Sequence, residues 1–120
     1  MTGSSTQGIK TVLHPVSDLA TAKAVYAALL GVPPQTDSAY YVGFDVEGQQ
    51  VGLDPNGHRK GMTGPVAYWH VADIDKSVQA LLENGARMQQ EVRDVGGGRL
   101  VATLTDADDN VIGLLQPADS

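Results

Sequence analysis

"VSDLATAKAVYAALLG" (16–31) and "VADIDKSVQALLENG" (71–85) follow one plan. Val16-Ser17-Asp18-Leu19 corresponds to Val71-Ala72-Asp73-Ile74, and Gly31 corresponds to Gly85. A serine or aspartate ahead of an apolar-periodic run can accept a backbone N–H that the first helical turn leaves orphaned. Ser17 or Asp18 is expected to cap one helix, and Asp73 another. Leu19, Ala22, Tyr26, Leu29 and Leu30 recur at helical spacing, as do Ile74, Val78, Leu81 and Leu82. Each glycine can take the left-handed conformation that ends a helix, and Pro33 and Pro34 bar any continuation of the first.

Outward from these helices the pattern turns to strands. "IKTVLHPV" (9–16) precedes the first helix, and "PVAYWHV" (65–71) precedes the second. "AYYVGFDVEG" (39–48) and "QQVGLDP" (49–55) read as strands joined by a turn at Glu47-Gly48. "RMQQEVRDV" (87–95), "GRLVATLTD" (98–106) and "NVIGLLQP" (110–117) complete the second half. "VGLDP" (51–55) answers to "IGLLQP" (112–117), so the chain is an internal repeat. Residues 1–8 read as a disordered tail, and 9–118 as a single domain. Its parts are module one (9–55), a turn-rich linker (56–64) and module two (65–117). About fifty residues cannot cover their own sheet, so the two copies are expected to pack together.

The chain has 120 residues and no cysteine, which excludes disulfides, thiolate metal sites and cysteine nucleophiles. Acidic residues outnumber basic ones by 14 to 8, a surface that repels phosphate backbones, so no nucleic-acid partner is expected. No apolar run approaches a membrane span. "MTGSSTQG" (1–8) lacks a signal peptide's apolar core, and a cytoplasmic protein is expected.

The order and spacing of "PVSDLATAKAVYAALLGV" (15–32), "HVADIDKSVQALLENGA" (70–86) and the closing "TDADDNVIGLLQP" (105–117) resemble the vicinal oxygen chelate superfamily. That family includes glyoxalase I, bleomycin-resistance proteins and extradiol dioxygenases. The resemblance covers residues 9–117. It implies an α+β fold in which two tandem βαβββ modules form a curled mixed sheet around a cleft, with helices outside. It also implies a homodimer. Metal-dependent members place His or Gln near each module start and Glu on each module's last strand. Carried over by alignment, those positions fall on Thr11, Gly52, Val66 and Gly113. Glycine and valine offer no donor, so no metal and no cofactor are expected.

Other motifs point the same way. Asp106, Asp108 and Asn110 mimic the start of a calcium loop, but Val111 and Pro117 stand where that loop needs glycine and glutamate. A turn in which Asp and Asn bond their own backbone is the expected reading. "VGGGRL" (95–100) has no Lys-Ser/Thr after it, so a phosphate loop is not expected. It reads as a hairpin or as a flap hinged on glycines 96–98. His58, beside Arg59 and Lys60, is expected to be solvated.

Strand alternation assigns faces. With Thr11 toward the cleft, Leu13 follows it, and His14 turns to the helix as a structural residue. With Val66 toward the cleft, Tyr68 and His70 follow, and Trp69 is expected in the core. Gln50 and Asp54 share a face with Gly52, Leu115 shares one with Gly113, and Tyr41 can reach the same space. The glycines are expected to deepen a largely apolar pocket. The composition of that floor is that of a small-molecule site.

The reading is a metal-free binding protein similar to the bleomycin-resistance branch, with a partly aromatic ligand and sequestration as one use. Two alternatives stand beside it. One is a glyoxalase-like lyase, isomerase or dioxygenase using His70 or Asp54 as acid or base, or holding a metal atypically. The other is a non-catalytic interaction module. No catalytic residue is assigned, and neither the ligand nor whether each cleft lies within one chain is legible.

Overall fold

The computed structural model describes residues 6–118. Their elements run β1 (Thr6–Pro15), α1 (Leu19–Leu30), β2 (Thr36–Asp37), β3 (Val42–Val46), β4 (Gln49–Asp54), β5 (Val66–Val71), α2 (Ile74–Glu83), β6 (Arg87–Asp94), β7 (Leu100–Thr105) and β8 (Val111–Gln116). The chain is therefore α+β, and βαβββ occurs twice in sequence. It divides into two compact units, residues 10–66 and residues 67–118 together with 6–9. Strand β1 begins at Thr6, inside the stretch read as a tail. Thr6 is held there by a hydrogen bond from its hydroxyl to the His70 carbonyl at 3.0 Å. Residues 1–5 lie outside the described residues.

In the first unit the strand order is β2-β3-β4-β1. β1 pairs with β4 in parallel, and β3 pairs with β4 as an antiparallel hairpin. Glu47 and Gly48 turn that hairpin with φ of 51° and 84°. Positive φ at both central residues matches the right-handed twist of the strands. Asp18 caps α1 by accepting from the Thr21 N–H at 3.1 Å, and Gly31 closes it at φ 72°. Val42, Phe44 and Leu53 form the buried core on the helix side, against Leu19, Ala22, Tyr26 and Leu30. Leu29 departs from expectation: it is 73% exposed, because the groups opposite it on the helix already cover the strands.

In the second unit the order is β5-β8-β7-β6. β5 pairs with β8 in parallel, and the remaining pairs are antiparallel. Asp73 caps α2 by accepting from the Lys76 N–H at 3.1 Å. The same helix start gains a bond the sequence does not announce, from the Ile74 N–H to Gln116 Oε1 at 2.8 Å. Val71, Ile74, Ala102, Leu104 and Leu114 form the core, with Val78 and Leu81 against it. Leu82 stands at 38% exposure, outside that stripe. Glycines 96–98 turn the β6–β7 hairpin, all with positive φ.

The acidic turn is a local hydrogen-bond device. Asp106 Oδ1 accepts from the Asp108 and Asn110 N–H groups, both at 2.9 Å, and Oδ2 accepts from Asn110 Nδ2 at 3.0 Å. The Asn110 side chain, followed by its backbone N–H, holds the Asp106 carboxyl below its ordinary value of 3.8. A depressed folded pKa means stabilisation that is fully present above the unfolded value and lost as pH falls through the folded one. Asp106→Asn keeps an acceptor oxygen but removes the charge. We expect its melting temperature to lie below the wild type's at about pH 6 and to converge with it as pH falls through the depressed folded value. Circular dichroism melts across that range check this; a constant gap would show that ionisation of Asp106 contributes nothing.

Candidate functional site

Each unit presents a face opposite its helix. In the first unit that face is set by direct cross-strand partners: Thr11 with Gln50, Leu13 with Gly52, and Gly43 with Gly52. Thr11 is buried, and its hydroxyl donates to Gln50 Oε1 at 3.0 Å. The ring of Tyr41 lies across two glycines. A Cβ on Gly52 would sit 2.5 Å from the Tyr41 hydroxyl and 2.9 Å from Leu13 Cδ1. One on Gly43 would sit 2.9 Å from Tyr41 Cε2. The glycines thus seat an aromatic ring instead of deepening a hollow. Gly43 was not singled out above, yet its signal was available: a two-residue turn at Glu47-Gly48 puts Val46 opposite Gln49, and counting back puts Gly43 opposite Gly52.

Asp54 lies at the end of this row, opposite Pro15. It is buried, and both its oxygens are engaged. Oδ2 accepts from Lys60 Nζ at 2.9 Å, and Oδ1 accepts from the Asn56 N–H at 2.8 Å. Its carboxylate therefore organises the short 3-10 turn at 58–60 in the linker. His14 lies on the opposite face, where Nδ1 donates to the Gly52 carbonyl at 3.3 Å and the ring stands 5.1 Å from that of Tyr26. His58 is exposed, and Val66, which opens β5, is half-buried.

In the second unit Tyr68 pairs with Gly113 and His70 with Leu115. Tyr68, His70 and Leu115 are all buried. Tyr68 repeats what Tyr41 does: a Cβ on Gly113 would lie 2.7 Å from Tyr68 Cδ1. It would lie equally close, 2.7 Å, to the Ala67 carbonyl oxygen, which is backbone. Across β7 the same rows continue, with Thr103 opposite Gly113 and Val101 opposite Leu115. Sequence reasoning named no residue of β7. Its alternation was legible, but only the pairing of β7 with β8 brings Thr103 into the Gly113 row.

Trp69 corrects an expectation. It pairs with Leu114, a core residue, so its strand face is the helix face as read. It is nevertheless 38% exposed and outside the core cluster. Alternation fixes which face a residue takes; whether a helix covers that part of the face is decided by helix placement.

Two repeats of βαβββ, each with a glycine on its last strand beneath a tyrosine, set the frame for comparison. The sequence matches the Glyoxalase/Bleomycin resistance protein/Dioxygenase superfamily over residues 8–114. The chain belongs to that superfamily. It is similar in fold to methylmalonyl-CoA epimerase from Mycobacterium tuberculosis, at TM-score 0.75 and 21% identity, covering 99% of this chain and 93% of that one. It is also similar to a superfamily member from Vibrio splendidus 12B01, at TM-score 0.67 and 14% identity, covering 94% and 100%. A third is homoprotocatechuate 2,3-dioxygenase from B. fuscum, at TM-score 0.70 and 16% identity, covering 98% of this chain and 34% of that one. No curated protein matches.

At the four positions that the resemblance assigns to metal donors, Thr11, Gly52, Val66 and Gly113, the residues present do not fit a divalent ion. Gly52 and Gly113 have no side chain, and Val66 has no donor atom. Thr11 gives its hydroxyl to Gln50. Among the described residues, no group of three or more His, Asp or Glu is placed to hold a metal ion. No helix among them is long and apolar enough to cross a membrane.

Proposed function

We propose that this superfamily member binds a small, partly aromatic organic molecule without a metal, in the manner of the bleomycin-resistance branch. The supporting observation is the pair of glycine seats that each carry an aromatic ring, Tyr41 over Gly52 and Tyr68 over Gly113. Aromatic faces and aliphatic side chains beside a few polar groups suit an apolar ligand with one oriented polar end. The superfamily's solved members include an epimerase in complex with methylmalonyl-CoA, which lends weight to an organic ligand. Asp54, engaged by Lys60 and Asn56, is poorly disposed to act as a free base. A homodimer and a cytoplasmic setting complete the reading; the dimer is tested by mass measurement in solution against the 12.6 kDa chain.

A thermal-shift panel tests the ligand. Small aromatic acids, amides and alcohols are screened with chelator, and in parallel with zinc, manganese or nickel. A ligand at a hundred times its Kd should add about 2.7 kcal/mol of stability. Stabilisation by an organic compound in chelator is the expected result. Stabilisation by metal alone, or by no compound, overturns the reading.

A further inference from the structure

We propose that Thr103 is the hydrogen-bonding anchor of the second unit's site, its hydroxyl donating to a carbonyl or carboxylate oxygen of an organic ligand lying against Tyr68. Thr103 is 4% exposed, and its Oγ1 has no hydrogen-bond partner. Native proteins rarely leave a buried hydroxyl unpaired, because stripping it of water without a replacement bond is costly. A threonine in that condition on a structural face would be replaceable by valine at a gain. On a binding face the missing partner is the ligand.

The register places Thr103 on the binding face. Its neighbours along β7, Ala102 and Leu104, are both in the helix-side core, so Thr103 points the other way. On that side it stands directly opposite Gly113, which in turn stands opposite Tyr68. The row therefore runs hydroxyl, bare backbone, aromatic ring across three strands. Because Gly113 has no side chain, no β8 side chain stands directly opposite Thr103. In the next row Val101 and Leu115 supply apolar surface beside it, and the His70 imidazole closes that row.

Strand β6 brings polar and charged side chains beside this row. On β6, Met88 and Val92 pack into the helix-side core, so alternation turns their chain neighbours Arg87, Gln89, Glu91 and Arg93 to the opposite face, and the register, shifted on either side of Gln90, sets Gln90 directly opposite Thr103. Arg87 stands opposite Thr105 and Arg93 opposite Val101. Arg87 has only a 3.5 Å pair with exposed Asp109. A threonine hydroxyl can donate to a carbonyl or carboxylate oxygen, and on this face of β6 the two cations, Arg87 and Arg93, outnumber the one carboxylate, Glu91.

This inference rests on the small-molecule reading above and is tested so that the two fail separately. Wild type, Thr103→Val and Thr103→Ser are compared without ligand and in titrations with benzamide, benzoate and ethylbenzene. Thr103→Val is expected to melt at or above the wild-type temperature without ligand, since it removes the unpaired hydroxyl and keeps the shape. It should bind benzamide or benzoate roughly five- to tenfold more weakly, the value of one net hydrogen bond. Ethylbenzene binding should not change, and Thr103→Ser should retain oxygen-ligand affinity. Preference for benzoate over benzamide identifies a carboxylate, and equal binding a carbonyl. If no compound binds the wild type, the small-molecule reading falls and this inference with it. If compounds bind wild type and Thr103→Val alike, or if Thr103→Val is less stable than wild type while Thr103→Ser is not, the anchor alone is overturned.

Discussion

Replacing Gly113 by alanine is expected to cost ~1–3 kcal/mol, the usual range for overpacking a filled site, and replacing it by glutamate more. The reason is that a Cβ at this position meets the Ala67 carbonyl oxygen at 2.7 Å as well as the Tyr68 ring. The ring can swing, but the carbonyl belongs to β5, which is hydrogen-bonded to β8 and can move only by distorting the ladder. A glutamate also takes a carboxylate out of water at a position set between strands, which adds a desolvation cost. Gly52 provides the control. There the atoms a Cβ would meet are the ends of Tyr41 and Leu13, both side chains free to turn. Gly52→Ala should therefore cost less than about 1 kcal/mol. Urea denaturation of the three variants separates these outcomes. If Gly113→Ala proves as mild as Gly52→Ala, the seat described for Tyr68 is wrong. The comparison also bears on metal binding. Placing a glutamate at Gly113 would not simply create a ligand position, because Tyr68 and the Ala67 carbonyl crowd the space its side chain would need.

Phe44→Ala is expected to be the most damaging simple truncation, at ~3–5 kcal/mol. Phe44 is 1% exposed and is the largest fully buried side chain, set between Val42 and Leu53 beneath α1. Removing its ring leaves a cavity that α1 cannot collapse to fill, since the helix is fixed by its cap at Asp18 and its stop at Gly31. Trp69→Ala, by contrast, should cost well under half as much. More than a third of Trp69 remains in water, so much of the area its removal would expose is already exposed. A Trp69→Ala variant as unstable as Phe44→Ala would place Trp69 in the core after all.

The two repeats were legible because helix starts and stops carry strong local chemistry. Asp18, Gly31 and Asp73 act through bonds to atoms within a few residues, so the sequence around them suffices. The Glu47-Gly48 hairpin is local in the same sense, and from it the register of β3 on β4 follows. Face assignment by alternation also held, since His14 and Trp69 both lie on the helix side.

What the sequence could not decide was coverage. Leu29 and Leu82 sit at helical spacing with core residues but stay exposed, because the width of the covered stripe depends on where the helix rests. Trp69 is exposed for the same reason. The glycines at 52 and 113 look alike in sequence, as open positions on matching strands. Tertiary structure decided that each lies under a tyrosine, and that only Gly113 is also pinned by backbone. Thr103 was invisible for a related reason: an unpaired hydroxyl is a property of everything around it. Local chemistry fixes which elements form and which way their side chains point. Only packing decides which of those side chains find a neighbour, and which are left waiting for one.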